Sequence, residues 1–171
     1  MADSISRRPQ VLSTERTLHL EVCRVLWRQL GMPLIELFAT SQNYRLPAFV
    51  SPFPDPMAIA TNSFLFSWDH MELYAFPPFP AIRRLLSKLR SSRGTSVILF
   101  APIWPSKEWF PDLLQETIDT PCLLPMRPDP LWQPYLHCFH DGFHAFQLTV
   151  WKLSIDSFTV RATPGELRPS W

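Results

Sequence analysis

The sequence predicts an α/β domain: three layers around a mostly parallel sheet, a reduced Rossmann-like core. Between residues 73 and 117, short apolar runs alternate with stretches of helical periodicity, a β-α-β-α series that builds a parallel sheet with crossover helices. The runs themselves lack polar interruptions, as strands covered on both faces require. Composition narrows the choice further. The 171 residues include 19 Pro and only 4 Gly, which excludes a long helical bundle or coiled coil and leaves little room for a glycine-rich phosphate cradle.

The elements follow in order. Residues 1–17 are polar and read as a linker. Leu18, Val22, Val25, Leu26 and Leu30 recur at three and four residues, marking an amphipathic helix that Gly31 and Pro33 stop. Leu34-Ile35-Glu36-Leu37-Phe38 is a buried strand. Pro47, Pro52, Pro54 and Pro56 make 47–56 an extended surface loop. Residues 58–68 are ambiguous and read as one helical turn followed by an aromatic patch. Leu73-Tyr74-Ala75-Phe76 is a strand ended by Pro77 and Pro78. Ile82, Leu85, Leu86 and Leu89 then give the clearest helix, 81–90, with Arg83, Arg84, Lys88 and Arg90 off its apolar stripe. Val97-Ile98-Leu99-Phe100 is a third buried strand. Ser106 is placed to cap a helix over 106–117. Residues 121–142 are proline-rich and irregular. Phe146, Leu148 and Val150 alternate with polar and aromatic neighbours in a last strand near a sheet edge. The domain thus spans 18–156, with 157–171 a flexible tail.

Charge and thiols bound the setting. Hydrophobic residues make up 46% and charged residues 18%, with a formal charge of +1, so no global field draws the chain to nucleic acid or membrane. The N-terminus carries no signal-peptide pattern, and no apolar run is long enough to span a bilayer. With 3 Cys, free thiols and an intracellular location, cytoplasmic or nuclear, are expected, without membrane partners.

Each of the three buried strands leads into an unusual loop: Phe38-Ala39-Thr40-Ser41-Gln42-Asn43, Phe76-Pro77-Pro78-Phe79, and Ala101-Pro102-Ile103-Trp104-Pro105-Ser106. In an open parallel sheet those loops share the carboxyl edge, where such folds bind ligands. In order and spacing they resemble the phage-type DNA adenine methyltransferases related to Dam. Glu36-Leu37-Phe38-Ala39-Thr40 is similar to that family's Asp-x-x-Ala-Thr. Asn43-Tyr44-Arg45-Leu46-Pro47 follows its Asn-x-x-x-Pro, and Phe76-Pro77-Pro78-Phe79 its Asn-Pro-Pro-Tyr. Val97 to Ala101, leading to Trp109-Phe110, completes a likeness over about residues 33–118. A narrower resemblance, carried by Leu37-Phe38-Ala39-Thr40, Phe49-Val50-Ser51-Pro52 to Asp55-Pro56, Ala75 to Pro80 and Ala101 to Pro105, is to the segment downstream of reverse transcriptase and ribonuclease H in DIRS-type tyrosine-recombinase retrotransposons. Ala2-Asp3-Ser4-Ile5-Ser6-Arg7 resembles the end of a retroelement ribonuclease H, which would make 1–17 its remnant; alone, Asp3 lacks the converging carboxylates of two-metal chemistry.

The resemblance implies a cofactor site for S-adenosylmethionine at Glu36, Ala39, Thr40 and Asn43, and a catalytic loop at Pro77, Pro78 and Phe79. In that family the Asn side chain and a proline-flanked carbonyl accept the target amine's hydrogens, while the aromatic stacks on the extruded base. Here Phe76 stands in the acceptor position, a loss worth about 2–4 kcal/mol of barrier. The implied function is therefore a non-catalytic, methyltransferase-like accessory segment of a retroelement polyprotein, beside its reverse transcriptase and ribonuclease H domains, needing no cofactor. An active adenine methyltransferase and a folded element remnant are the alternatives. Arg83, Arg84 and Lys88 are candidate contacts to DNA or RNA phosphates, against the commoner reading of a solvated helix face. Trp104 and Trp109 can stack a base or fill the core. His137, Cys138, His140 and His144 match no structural zinc spacing, so no metal is expected, and Cys23 and Cys122 read as buried thiols.

Overall fold

Alternating burial along the apolar runs produces two cores, one on each face of a single sheet. Val97, Leu99 and Ala101 enter one core while Ile98 and Phe100 enter the other, and the same division separates Leu73 and Ala75 from Tyr74 and Phe76. A computed structural model describes residues 17–18, 20–123, 131–133, 138–139 and 148–155. In chain order its elements are β1 (Thr17–Leu18), α1 (Leu20–Leu30), β2 (Ile35–Leu37), β3 (Phe49–Ser51), β4 (Ala60–Thr61) and β5 (Glu72–Ala75). There follow a 3-10 turn (Phe79–Ala81), α2 (Ile82–Ser91), β6 (Ser96–Pro102), α3 (Phe110–Glu116), β7 (Cys122–Leu123), β8 (Leu131–Gln133), β9 (Cys138–Phe139) and β10 (Leu148–Ser154).

The main sheet has seven strands in the order β4-β3-β2-β5-β6-β10-β7. From β4 to β6 every pairing is parallel. β10 is antiparallel to both of its neighbours, running the full length of β6 from Leu148↔Pro102 to Ser154↔Ser96. A separate small antiparallel sheet joins β1, β8 and β9. Leu85, Leu86 and Leu89 of α2 and Phe110 and Leu113 of α3 cover one face, together with Trp151 and Leu153. Val22, Cys23, Leu26 and Leu30 of α1 cover the other. The expected three-layer α/β architecture is present.

Local signals explain the helix ends. α1 stops where Gly31 takes a φ of 91°, a left-handed conformation that glycine adopts without strain, and its N–H donates to Trp27 O at 3.1 Å. Lys152 Nζ, from β10, donates to Leu30 O at 2.8 Å, placing a cation at the helix C-terminus. α2 ends at Ser92, whose hydroxyl donates to Lys88 O.

Three expectations need correction. Residues 49–51 lie in β3, an interior, fully buried strand, not a surface loop. Pro47 and Pro52 flank it and leave its N–H groups free to pair. The ambiguous 58–68 segment supplies β4 and a turn rather than a helical turn. α3 begins at Phe110, not after Ser106, because Pro111 is tolerated only in a first helical turn. The last strand lies near a sheet edge as expected, with only the two-residue β7 beyond it. The tail from 157 lies outside the described residues.

Trp151 shows what holds the reversed strand. It is 2% exposed, its Nε1 donates to Ala101 O at 3.1 Å, and Phe110 meets it nearly perpendicular at 5.9 Å. Trp151→Ala is expected to destabilise the domain by about 3–5 kcal/mol, read as a lower urea midpoint. A loss below about 1 kcal/mol would show that β10 is not a core strand.

Candidate functional site

Leu37, Ala75 and Leu99 are aligned across β2, β5 and β6, so the loops that follow these parallel strands all leave one edge. The three loops expected to converge are therefore brought to a common rim.

The loop after β2 is built around backbone N–H groups that no helix satisfies. Glu36, 4% exposed, accepts from Arg45 N at 2.5 Å and Leu46 N at 2.8 Å. Asn43 Oδ1 accepts from Thr40 N at 2.7 Å, while Asn43 N donates back to Thr40 O at 3.1 Å. Asp55, from the loop after β3, accepts from Ser41 N at 2.8 Å and Met57 N at 2.9 Å, which lowers its pKa from the ordinary carboxylate value. Phe38 has a φ of 61°, a strained conformation for a bulky residue that costs about 1–3 kcal/mol. It is held by its N–H on Ser63 Oγ and by its ring on Phe64, 5.4 Å away. Glu36, Ala39, Thr40 and Asn43 thus lie together, all buried, with the polar groups of Glu36, Thr40 and Asn43 engaged by the chain itself.

Glu36 also faces its neighbour across the sheet. Its register partner Tyr74 has a buried hydroxyl with no hydrogen-bond partner among the described residues. Burial outweighs the two amide donors and pushes the Glu36 carboxyl up to about 7. Burial likewise raises Cys23 to about 12, so this thiol is an inert core group, and Cys122 is buried too.

On β5's side of the rim, Phe76 packs against Phe100 at 5.6 Å and is 9% exposed. Pro77 is buried and Pro78 exposed. Pro78 O accepts from Ala81 N at 2.9 Å and opens the 3-10 turn. Phe79 is half-buried and meets Trp104 at 5.3 Å, nearly perpendicular. Trp109 is 7% exposed and belongs to the core, whereas Trp104 is half-buried.

The basic residues of α2 divide by partner. Arg83 pairs with Glu108 at 3.0 Å, and Arg90 with Asp112 and Glu116 of α3, which raise its pKa. Arg84 lies 4.2 Å from the centre of the Phe64 ring, and Lys88 Nζ donates to Phe64 O at 2.8 Å while lying over Trp68. Of the histidine-cysteine group, His137, His140 and His144 fall outside the described residues, as does Asp3. No cluster of three metal-ligating side chains occurs among the described residues. No described helix is long and apolar enough to cross a membrane.

Sequence reading missed Asp55, Tyr74 and Lys107. Asp55 had a signal, an Asp two residues before the N–H it caps. Tyr74 had none, because its proximity to Glu36 depends on strand register. A cavity of about 140 Å³ opens at the opposite, amino edge, near Gly31, Glu72, Ser96 and Lys152, and none of the candidate residues lines it. No protein-family model matches the chain, and no curated protein matches it either.

Glu36 gives a signed pH dependence. Its pKa is about 7 in the fold against an ordinary 4.5, so between those values the folded chain holds the extra proton. This stabilisation is fully present below 4.5 and is lost as pH rises through 7, a fall of ~3 kcal/mol. Urea midpoints measured from about pH 4.5 to 8 should fall with that profile, and Glu36→Gln should flatten it. Identical profiles for both proteins would exclude Glu36 as the titrating group.

Proposed function

We propose that this chain is a methyltransferase-like domain without transfer activity, serving as an accessory module beside the reverse transcriptase and ribonuclease H of a DIRS-type retroelement polyprotein. Two features support the methyltransferase-like half. Counted in chain order, the seven strands of the main sheet lie 3-2-1-4-5-7-6. This is a doubly wound order with a reversed last strand inserted beside the fifth, the layout of a methyltransferase core. The loops carrying the motif-like residues also share its carboxyl rim. The polyprotein setting rests on the resemblance of residues 37–40, 49–56, 75–80 and 101–105, and of 2–7.

The observation that carries the loss of activity is the internal use of the rim's acceptors. A nucleoside cofactor lying over the end of β2 needs close backbone approach and at least one carboxylate open to its hydroxyls. Residues 38–43 contain no glycine, and Phe38 to Phe64 packing lies over that strand end. Both oxygens of Asp55 and one of Glu36 already hold backbone amides. The residues present do not fit S-adenosylmethionine, and Phe76 supplies no acceptor for an amine.

Isothermal titration with S-adenosylmethionine is therefore expected to give no binding heat, and Phe76→Asn is expected to leave DNA unmethylated. Micromolar binding by the native chain, or methyl transfer to adenine in DNA by the variant, would overturn this reading.

A further inference from the structure

Two aromatic rings at the rim carry cations that lack an acidic partner among the described residues. Lys107 Nζ lies 5.3 Å from the Trp104 ring centre, and the Arg84 guanidinium 4.2 Å from that of Phe64. Both cationic residues are in contact with solvent, and Trp104 and Phe64 are each half-buried against the same core. The two pairs occupy adjoining segments. Arg84 sits in the first turn of α2, which follows β5, and Lys107 in the turn that follows β6, the next strand of the sheet. Arg83 and Glu108, the immediate chain neighbours of Arg84 and Lys107, bridge these segments at 3.0 Å.

The platform is also held in shape. Lys107 N donates to Trp104 O at 3.0 Å and Phe110 N to Lys107 O at 3.1 Å, so the turn that presents the indole is closed by its own backbone. Phe79 braces the indole from the β5 side. The acidic side chains nearest in sequence, Glu108 and Asp112, are neutralised by Arg83 and Arg90.

We propose that this part of the rim binds single-stranded nucleic acid, an unpaired base stacking on Trp104 while Lys107 and Arg84 pair with flanking phosphates. Stacking on an indole is available to every base, whereas a single exposed cation over a ring is among the weakest of surface interactions. A base therefore displaces Lys107 from the indole and leaves its ammonium free for a phosphate. The charge pattern selects a polyanion over an apolar or proline-rich peptide. This site deepens the accessory reading, on which it rests for its biological setting, and it requires no cofactor.

The test uses the whole chain with fluorescein-labelled oligothymidylate, oligouridylate and a DNA duplex, followed by anisotropy across a salt series. Both single strands are expected to bind more tightly than the duplex. Trp104→Ala should weaken single-strand binding about tenfold. Lys107→Gln should lower the salt slope by about 0.7, the share of the one phosphate that its ammonium neutralises. Trp104→Phe should retain most of the affinity, and Arg24→Ala on α1 should leave it unchanged. If Trp104→Ala fails to fold, the exposed Lys107→Glu, which should weaken binding more than Lys107→Gln, decides the matter. Absence of single-strand binding at low salt would overturn the site, as would duplex binding that none of these variants alters or salt-independent capture of a proline-rich peptide in its place. Failure here leaves the titration with S-adenosylmethionine unaffected, so the two readings fall separately.

Discussion

Helix-free crossovers are the constraint on which this domain turns. A parallel strand pair needs a long connection, and a helix is the usual way to satisfy the connection's backbone. Between β2 and β3 there is none. Residues 38–48 must find other partners for their N–H groups, of which those of Thr40 and Leu46 are buried, and a buried one left unpaired costs about 1–3 kcal/mol. Glu36, Asn43 and Asp55 meet that demand by capping Arg45, Leu46, Thr40 and Ser41. The polar side chains at the end of β2 are thereby structural, and the chemistry available at the rim follows from that assignment.

The rim consequently has two characters. Next to β2 it is closed, with the buried Glu36 carboxyl and a strained aromatic at its centre. Beside β5 and β6 it is open, with half-buried rings, exposed prolines and cations that face them. The closed part governs stability and its response to pH. The open part displays its rings and cations to solvent. The separation arises because α2 and α3 supply regular crossovers where the rings are displayed.

Much of this order was legible in the chain. The periodicity of Ile82, Leu85, Leu86 and Leu89 and the apolar run from Val97 located α2 and β6, and with them the common edge. β3 is hidden because four prolines give the whole 47–56 stretch the look of a loop, whereas only the positions between Pro47 and Pro52 pair. β10 lies near the edge as its alternation suggests, but that alternation also suggests one solvated face, whereas Trp151 and Thr149 are buried as fully as Val150. For the site, residue types at the rim were visible, but their partners were not. Whether Glu36 meets a ligand or two amides depends on how residues 38–48 fold back, which no local pattern encodes. Arg83 and Arg90 looked like Arg84, and only the packing of α3 separated paired cations from the one that lies over a ring.

The reversed strand has a consequence for how the molecule is made. β10 is synthesised after every other strand of its sheet, yet it lies between β6 and β7. Until it arrives, β6 presents an open row of amides and carbonyls along its length, a template for joining another chain. Any state in which β2 to β6 have paired before β10 docks leaves that row exposed, and docking of β10 both covers it and gives β7 its partner.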